Sequence, residues 1–462
     1  MGAGVSVAPA RRAALTVLQR VRTRGAFGPE TLDAVLRKGS LSAADASLAT
    51  RLAYGTLESL GTLDDALDAL IARPESVEPA VRDALRLAAY EILFARTPAR
   101  AAVNEGVEAV KSLRAPAAGL ANAVLRKLAA RAPTFPWGDP AKDDEALARS
   151  TAHPHWLVEM WVAELGRARA VEALAADTEP APLYLWWNPF AGSAADAVEM
   201  LRQDGAEPST ELPDGCLRAA RPHAAVTGRA VAEGRVLITD AAAQLASRVV
   251  GAHPGSVVID VAAGRGTKSA QLQAASHLAG APARLFALDI HPFKAEVLAR
   301  RMADLGVPDV TALTGDALSL PDVDGLPGPQ EADAVLVDAP CTGLGALRRR
   351  PEKRWRVGSE DVARLADVQL AMLTSSASLV RPGGRVVYST CTVSRVENHE
   401  VAASFLRLSE GEFATADITS LVPPEWRGDI GVEGWYQSVP RTDGPDGHFV
   451  AAFERAVRGR QR

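Results

Sequence analysis

Asp333-Ala-Val-Leu-Val-Asp-Ala-Pro-Cys-Thr-Gly-Leu-Gly345 is the stretch from which the fold is read. Ala334–Val337 is a short continuous apolar run, the mark of a buried strand. It delivers Asp338, Pro340 and Cys341 into a glycine-containing loop at its carboxyl end. Arg385-Val-Val-Tyr-Ser-Thr-Cys391 repeats the design, with a second thiol just beyond a short apolar strand. In open α/β sheets, ligands bind outside the carboxyl ends of the strands. Two thiols and a carboxylate placed there point to covalent chemistry. A buried cysteine that only packs is the ordinary alternative for either thiol alone; the paired contexts weigh against it.

Outward from this stretch, strands alternate with helices from about residue 241 onward. The strands expected are Val257–Asp260, Leu285–Asp289, Val310–Thr314, Ala334–Val337, Val386–Tyr388 and Phe449–Phe453. Helical periodicity falls at Lys268–Ala275, Phe293–Leu305, Asp361–Val380 and Val396–Leu408. Alternation on this scale predicts a doubly wound, mostly parallel α/β sheet over residues 241–457. Before it, residues 146–240 mix helix and short strands into a small α+β segment, with Leu183–Trp187 as a strand and a helix opening at His153-Pro-His-Trp156. Arg131–Glu145 is rich in Pro, Gly and charge and reads as a linker. Residues 8–132 carry helical faces such as Ala13, Leu15, Val17, Leu18 and Val21, with Ser42 as a helix cap. That pattern predicts an all-α domain.

The composition excludes several classes. No uncharged run approaches the ~18 residues needed to cross a bilayer. Three Cys without a Cys-x-x-Cys pair, and eight scattered His, give neither a disulfide framework nor a metal cluster. The start, Met1–Ser6, fits the short myristoylation pattern only loosely. A cytoplasmic protein is expected. Net charge is −5, so nucleic-acid binding would rest on local patches. One is Arg348-Arg-Arg-Pro-Glu-Lys-Arg-Trp-Arg356; the basic tail from Arg455 to Arg462 is another.

The first strand of the α/β region runs into Val261-Ala-Ala-Gly-Arg-Gly-Thr-Lys-Ser269, a small-residue loop that lets a ligand approach the backbone. The Walker spacing is absent. Asp289 ends the second strand, where a carboxylate accepts ribose hydroxyls, and Asp316 follows the third. Each acid alone is more often a cap or turn residue; the succession favours adenosine binding.

Together these residues resemble the RNA 5-methylcytosine methyltransferases of the RsmB/Sun family. Asp338-Ala-Pro-Cys341-Thr-Gly and Ser389-Thr-Cys391-Thr-Val-Ser-Arg-Val-Glu397-Asn398 are similar to its two cysteine motifs. Asp446-Gly-His-Phe-Val-Ala-Ala-Phe453 resembles its closing strand. Asn104–Lys111 and Gly119–Lys127 resemble a NusB-like RNA-binding domain. The resemblance spans nearly the whole chain. It implies a Rossmann-like methyltransferase domain preceded by a NusB-like domain. The implied reaction is S-adenosylmethionine-dependent methylation of cytosine carbon 5 in small-subunit (16S) ribosomal RNA, at a single-stranded or loop nucleotide.

In that family's terms Cys391 is the nucleophile, Cys341 assists release, Asp338 hydrogen-bonds the base, and Lys268 lies near that carboxylate. The resemblance also implies that Ala262, Ala263, Gly264, Arg265, Gly266, Thr267 and Lys268, with Asp289, Asp316 and Asp338, hold the cofactor. Arg348, Arg349, Arg350, Lys353 and Arg354 are the expected phosphate contacts. A monomer without membrane attachment is expected.

Two departures stand out. The family's Ala-Pro-Gly-Gly-Lys reads Gly264-Arg-Gly-Thr-Lys268 here, and Trp186 stands where an Arg is common. The altered loop keeps open a second reading, a non-catalytic RNA-binding assembly factor. A DNA cytosine methyltransferase is disfavoured by the Ser-Thr-Cys motif and the NusB-like region.

Overall fold

The computed structural model describes residues 7–25, 28–38, 41–95, 97–209 and 215–457. Met1–Ser6 and the end of the basic tail, Arg458–Arg462, lie outside these. The chain divides into two compact units, 1–178 with 347–358, and 179–346 with 359–462.

Among its described residues the first unit contains helices and no strand. They are α1 Pro9–Arg24, α2 Gly28–Lys38, α3 Ala43–Glu58, α4 Leu60–Asp68, α5 Pro79–Leu93, α6 Ala99–Leu113, α7 Ala118–Arg131, α8 Asp144–Thr151, α9 His155–Leu165 and α10 Arg167–Ala176. The Ser42 hydroxyl caps α3 by accepting from the Asp45 amide at 3.1 Å. The α1 face Ala14, Val17, Leu18 and Val21 is buried with Leu52 and Leu57 of α3 and Leu85 of α5. Each such valine or leucine contributes roughly 1.5–3 kcal/mol when removed from water.

Arg131–Glu145, expected as a linker, is instead a packed turn within this unit. Phe135 and Trp137 meet edge to face at 5.2 Å, and the Arg131 guanidinium lies 4.7 Å from the Trp137 ring. Arg149 donates to the Pro136 carbonyl at 2.7 Å. Two aromatic anchors outweigh the turn-forming composition around them.

The second unit holds two sheets. Strands β1 Leu183–Trp187, β2 Pro208–Ser209, β3 Cys216–Ala219 and β4 Val236–Ile238 form an antiparallel sheet in the order β2-β3-β1-β4. Strands β5 Val257–Val261, β6 Arg284–Asp289, β7 Val310–Thr314, β8 Ala332–Asp338, β9 Val380–Thr390, β10 Phe413–Thr415, β11 Tyr436–Gln437 and β12 Phe449–Arg455 build the larger one. Its order is β10-β12-β9-β8-β5-β6-β7, with β11 paired to β12. The pairs among β5 to β9 are parallel, while β12 runs antiparallel between β9 and β10.

Alternation puts the two faces of this sheet into two cores. Val258 and Leu336 pack with Leu245 and Val249 on one side. Ile259, Val335 and Val337 pack with Leu373 and Phe405 on the other. Strand β5 lies between β6 and β8, so the chain reverses its winding there and opens a crevice at the strands' carboxyl ends.

Every strand expected in this region is present. The one expected at Val386–Tyr388 is longer, because pairing with β8 and β12 recruits its neighbours into β9. The helix expected at Val396–Leu408 begins as a π-turn, Val396–Glu400, before the α-helix Val401–Leu408.

Candidate active site

Strands β8 and β9 pair in parallel with Asp338 beside Ser389, so their following loops emerge together. The Ala339 amide donates to the Ser389 carbonyl at 3.0 Å. Beyond it the two loops bring Cys341 Sγ and Cys391 Sγ to 3.4 Å. The Gly345 amide donates to the Cys391 carbonyl at 3.0 Å, and the Gly447 amide to the Gly345 carbonyl at 2.8 Å. A Cβ on Gly345 would sit 2.1 Å from the Gly447 oxygen. Only a glycine lets these backbones approach so closely.

A charged pair lies beside the thiols. The Lys268 ammonium donates to Asp338 Oδ2 at 2.8 Å, and the Ser389 hydroxyl donates to Asp338 Oδ1 at 3.3 Å. His448 Nε2 shares a 2.8 Å hydrogen bond with the Ser389 oxygen. Burial, with Lys268 nearby, lowers the His448 pKa to about 3. The ring is therefore neutral. Burial also works against the Lys268 charge, but Asp338, Cys391 and Asp260 outweigh it and raise its pKa, so the ammonium persists. The hydrogen bond to Cys391 and burial hold the Cys341 thiol well above its ordinary value. Asp260, at the end of β5, accepts from Ser269 at 2.6 Å, while its Oδ1 has no partner. Burial pushes this carboxyl up to about 7.

The loop after β5 turns through left-handed backbone at Ala262, Gly264 and Gly266. A Cβ on Gly266 would meet Leu298 and Met302 at 2.9 Å. Arg301 gives one of the two unusual residues a partner: its Nη1 donates to the Thr267 hydroxyl and to the Arg265 backbone carbonyl, both at 2.9 Å. Arg265 itself is exposed. Asp289 is buried and accepts from the His291 amide at 3.0 Å and Lys294 Nζ at 3.3 Å. The Gly315 amide donates to the Asp289 carbonyl at 3.2 Å. That bond brings the next strand's exit, with exposed Asp316, alongside. The loop and the exits of β6 and β7 thus lie side by side at the strands' carboxyl ends.

The basic run departs from expectation. Arg354 is 1% exposed and Arg348 8%. The Arg354 guanidinium donates to the Ala152 and Asp177 carbonyls at 3.0 and 3.1 Å and to the Asp177 carboxylate at 3.1 Å. The Arg348 amide donates to the same carboxylate at 3.0 Å. Burial withdraws both side chains from phosphate contact, and in Arg354 the guanidinium itself is engaged. Arg350 is exposed, and Arg349 and Lys353 are half-buried. Trp355 packs where Gly61 leaves room, and its indole donates to the Glu58 carbonyl at 2.7 Å. Trp186 is likewise buried, with Leu237, Ala270 and Ala274.

Sequence reasoning gives no role to Glu397, Asn398 and His448, although all three stand inside the quoted motifs. It gives no signal at all for Gln369, which lies mid-helix in Ser359–Leu379 and reaches the Pro340 carbonyl at 2.9 Å.

A parallel sheet with a ligand loop at its switch point, closed by an antiparallel strand between the last two, is the architecture of S-adenosylmethionine-dependent methyltransferases. Residues 248–454 match the family model described as 16S rRNA methyltransferase RsmB/F, and residues 8–130 match the NusB family. The chain is 33% identical to ribosomal RNA small subunit methyltransferase B of Thermus thermophilus, over 96% of this chain and 97% of that one. A protein of Mycobacterium tuberculosis is 35% identical over 97% of this chain and 96% of its own. The crystal structure of PH0851 shares the fold with a TM-score of 0.79 at 24% identity, covering 98% of this chain and all of that one. NSun6 from Pyrococcus horikoshii shares it over 65% of this chain and 98% of its own, with a TM-score of 0.56 at 19% identity. The chain belongs to the RsmB/F family of rRNA methyltransferases.

Proposed function

We propose that this protein methylates carbon 5 of a cytosine in small-subunit (16S) ribosomal RNA, using S-adenosylmethionine and a covalent Cys391–cytosine adduct. The observation that carries the reading is the 3.4 Å approach of Cys341 and Cys391 beside the Lys268–Asp338 pair. Family membership alone calls for a methyltransferase; a second thiol in contact with the first has a use where a covalent adduct must be released.

Carbon 5 of cytosine is a weak nucleophile. Bonding of the Cys391 thiolate to carbon 6, with a proton passing to the ring nitrogen, makes carbon 5 an enamine carbon. Asp338 is the group that hydrogen-bonds the base there. Bound S-adenosylmethionine supplies the electrophilic methyl. Loss of the carbon 5 and ring-nitrogen protons, with expulsion of the thiolate, restores the aromatic ring, and Cys341 assists this release.

The residues present fit the cofactor. Left-handed backbone at Gly264 and Gly266 keeps the loop Ala262–Lys268 narrow. Asp289 suits ribose hydroxyls, since each of its oxygens keeps a lone pair beyond its present bond. Asp316 lies at the next strand exit, and Thr267 is turned to Arg301. The target base must leave its stack to reach a thiol. Arg349, Arg350 and Lys353 remain as the phosphate contacts of the basic run, with the NusB-like region as a second RNA-binding element.

The test is transfer of labelled methyl from S-adenosylmethionine to unmethylated 16S rRNA, read by nucleoside mass spectrometry. 5-Methylcytosine that is absent with Cys391→Ala bears out the reading. A different methylated nucleoside, or product that persists without Cys391, overturns it.

A further inference from the structure

A single buried carboxylate joins the two cysteine loops. Glu397 Oε1 accepts from the Thr342 amide at 2.8 Å and from Gln369 Nε2 at 3.0 Å. Its Oε2 accepts from the Thr342 hydroxyl and, at 3.2 Å, from the Thr392 hydroxyl. Thr342 follows Cys341 and Thr392 follows Cys391, and their own hydroxyls are 2.9 Å apart. The same Gln369 amide donates to the Pro340 carbonyl at 2.9 Å, so Cys341 is held on both sides. Asn398, next to Glu397, does this for Cys391: it accepts from the Thr390 hydroxyl at 2.6 Å and donates to the Thr392 carbonyl at 3.0 Å. Tyr388 completes the group, its hydroxyl 3.0 Å from Gln369 Oε1. The carboxylate is presented by the π-turn Val396–Glu400, a geometry that recurs at functional sites.

Glu397 is completely buried. Burying a carboxylate is costly, and its hydrogen bonds offset that cost without making it an efficient source of stability. A thiol–thiol hydrogen bond is weak and does not by itself hold two separate loops in register. We propose that Glu397 is the positioning residue of the thiol pair. It clamps the Cys341 and Cys391 loops at reacting distance and places an anion on the Cys341 side, opposite the Lys268 cation, so that Cys391 is the nucleophile. The charge effects run the same way: Glu397 adds to the upward shift of Cys341, and Cys391 adds to that of Lys268. The inference rests on the covalent reading above for its catalytic meaning, and on the resting structure alone for the clamp.

The test begins with reduced, full-length protein and dibromobimane, which bridges two neighbouring thiols into a fluorescent product. The wild type bridges and Cys391→Ala does not. Glu397→Ala is expected to bridge at least several-fold more slowly, because loops no longer held in register bring the second thiol to the reagent less often. Glu397→Gln, which keeps an acceptor for the Thr342 amide, is expected to recover part of the rate. A folded Glu397→Ala protein that bridges at the wild-type rate overturns the clamp.

If Glu397→Ala does not fold, Glu397→Gln decides. In a Cys391→Ala background, the pH profile of Cys341 alkylation is expected to move to lower pH once the carboxylate charge is gone; an unmoved profile overturns the proposal. On RNA carrying 5-fluorocytosine, the wild type is expected to trap an adduct and Glu397→Ala to trap far less. Wild-type bridging without any trapped adduct defeats the covalent reading and the catalytic half of this proposal, while leaving the clamp in place.

Discussion

Asp338–Gly345 and Arg348–Arg356 follow one another along the chain, the first with a few polar groups among small residues, the second dense in charge. In the first, the polar groups gather around a pair of thiols: Asp338 on Lys268, Thr342 on Glu397, Cys341 on Cys391. In the second, the strongest charge is spent inside the helical unit, where Arg354 binds Asp177 and Asp177 also meets His153 at 3.0 Å. Burial and the nearby Arg354 lower the His153 pKa to about 4, so the imidazole is neutral and adds no further cation. The first segment gathers the groups of the proposed chemistry, and the buried arginines of the second build structure. A run of basic residues is thus no guide to an RNA surface until the partner of each is known.

The contrast is broken most directly at Cys391. Cys391→Ala should reduce methyl transfer by roughly 10⁴-fold or more while leaving the thermal midpoint near the wild type; retained activity would place the chemistry elsewhere. Arg354→Ala should act the other way. Stranding buried Asp177 should cost about 3–5 kcal/mol in urea denaturation, and a loss below about 1 kcal/mol, the scale of an exposed ion pair, would return Arg354 to the candidate RNA contacts.

Asp260 tests the electrostatics around the Lys268–Asp338 pair. Folded, it keeps its proton to about pH 7, whereas an unfolded aspartate releases it near pH 4. Between these values the native state binds the extra proton, so this group makes stability fall as pH rises from about 4 to about 7 and adds no further change above that. Asp260→Asn should therefore gain on the wild type by roughly 2–4 kcal/mol across that window, read by denaturation at its two ends. A pH-independent difference would show that the native carboxyl titrates normally.

The smallest effect belongs to exposed Arg350. Arg350→Ala should change stability by no more than about 1 kcal/mol, the scale of an exposed polar contact. It should lower the salt dependence of RNA binding by about one phosphate contact; an unchanged slope would remove it from the interface.

Much of the fold is legible in the chain, and for identifiable reasons. The runs 257–259 and Ala334–Val337 lie in strands covered on both faces of a parallel sheet, so they stay apolar without alternation. Asp289, Asp338 and Cys391 stand at or just after such runs, so the apolar pattern alone puts them at the strands' carboxyl ends. Arg131–Glu145 misleads because its turn residues are visible in composition while the packing of Phe135 and Trp137 is not. Gln369 is invisible because its role exists only once its helix lies against the Cys341 loop.

The sequence by itself determined the order of strands and helices, the thiol-bearing loops and the family, because these depend on local pattern and short-range spacing. Tertiary structure alone decided that Glu397 joins Thr342 to Thr392, that Arg301 supports Thr267, and that Arg354 turns inward to Asp177. Each of these pairs residues far apart in the chain or on separate loops. Whether a charge meets a partner or water is settled only when the chain has closed around it.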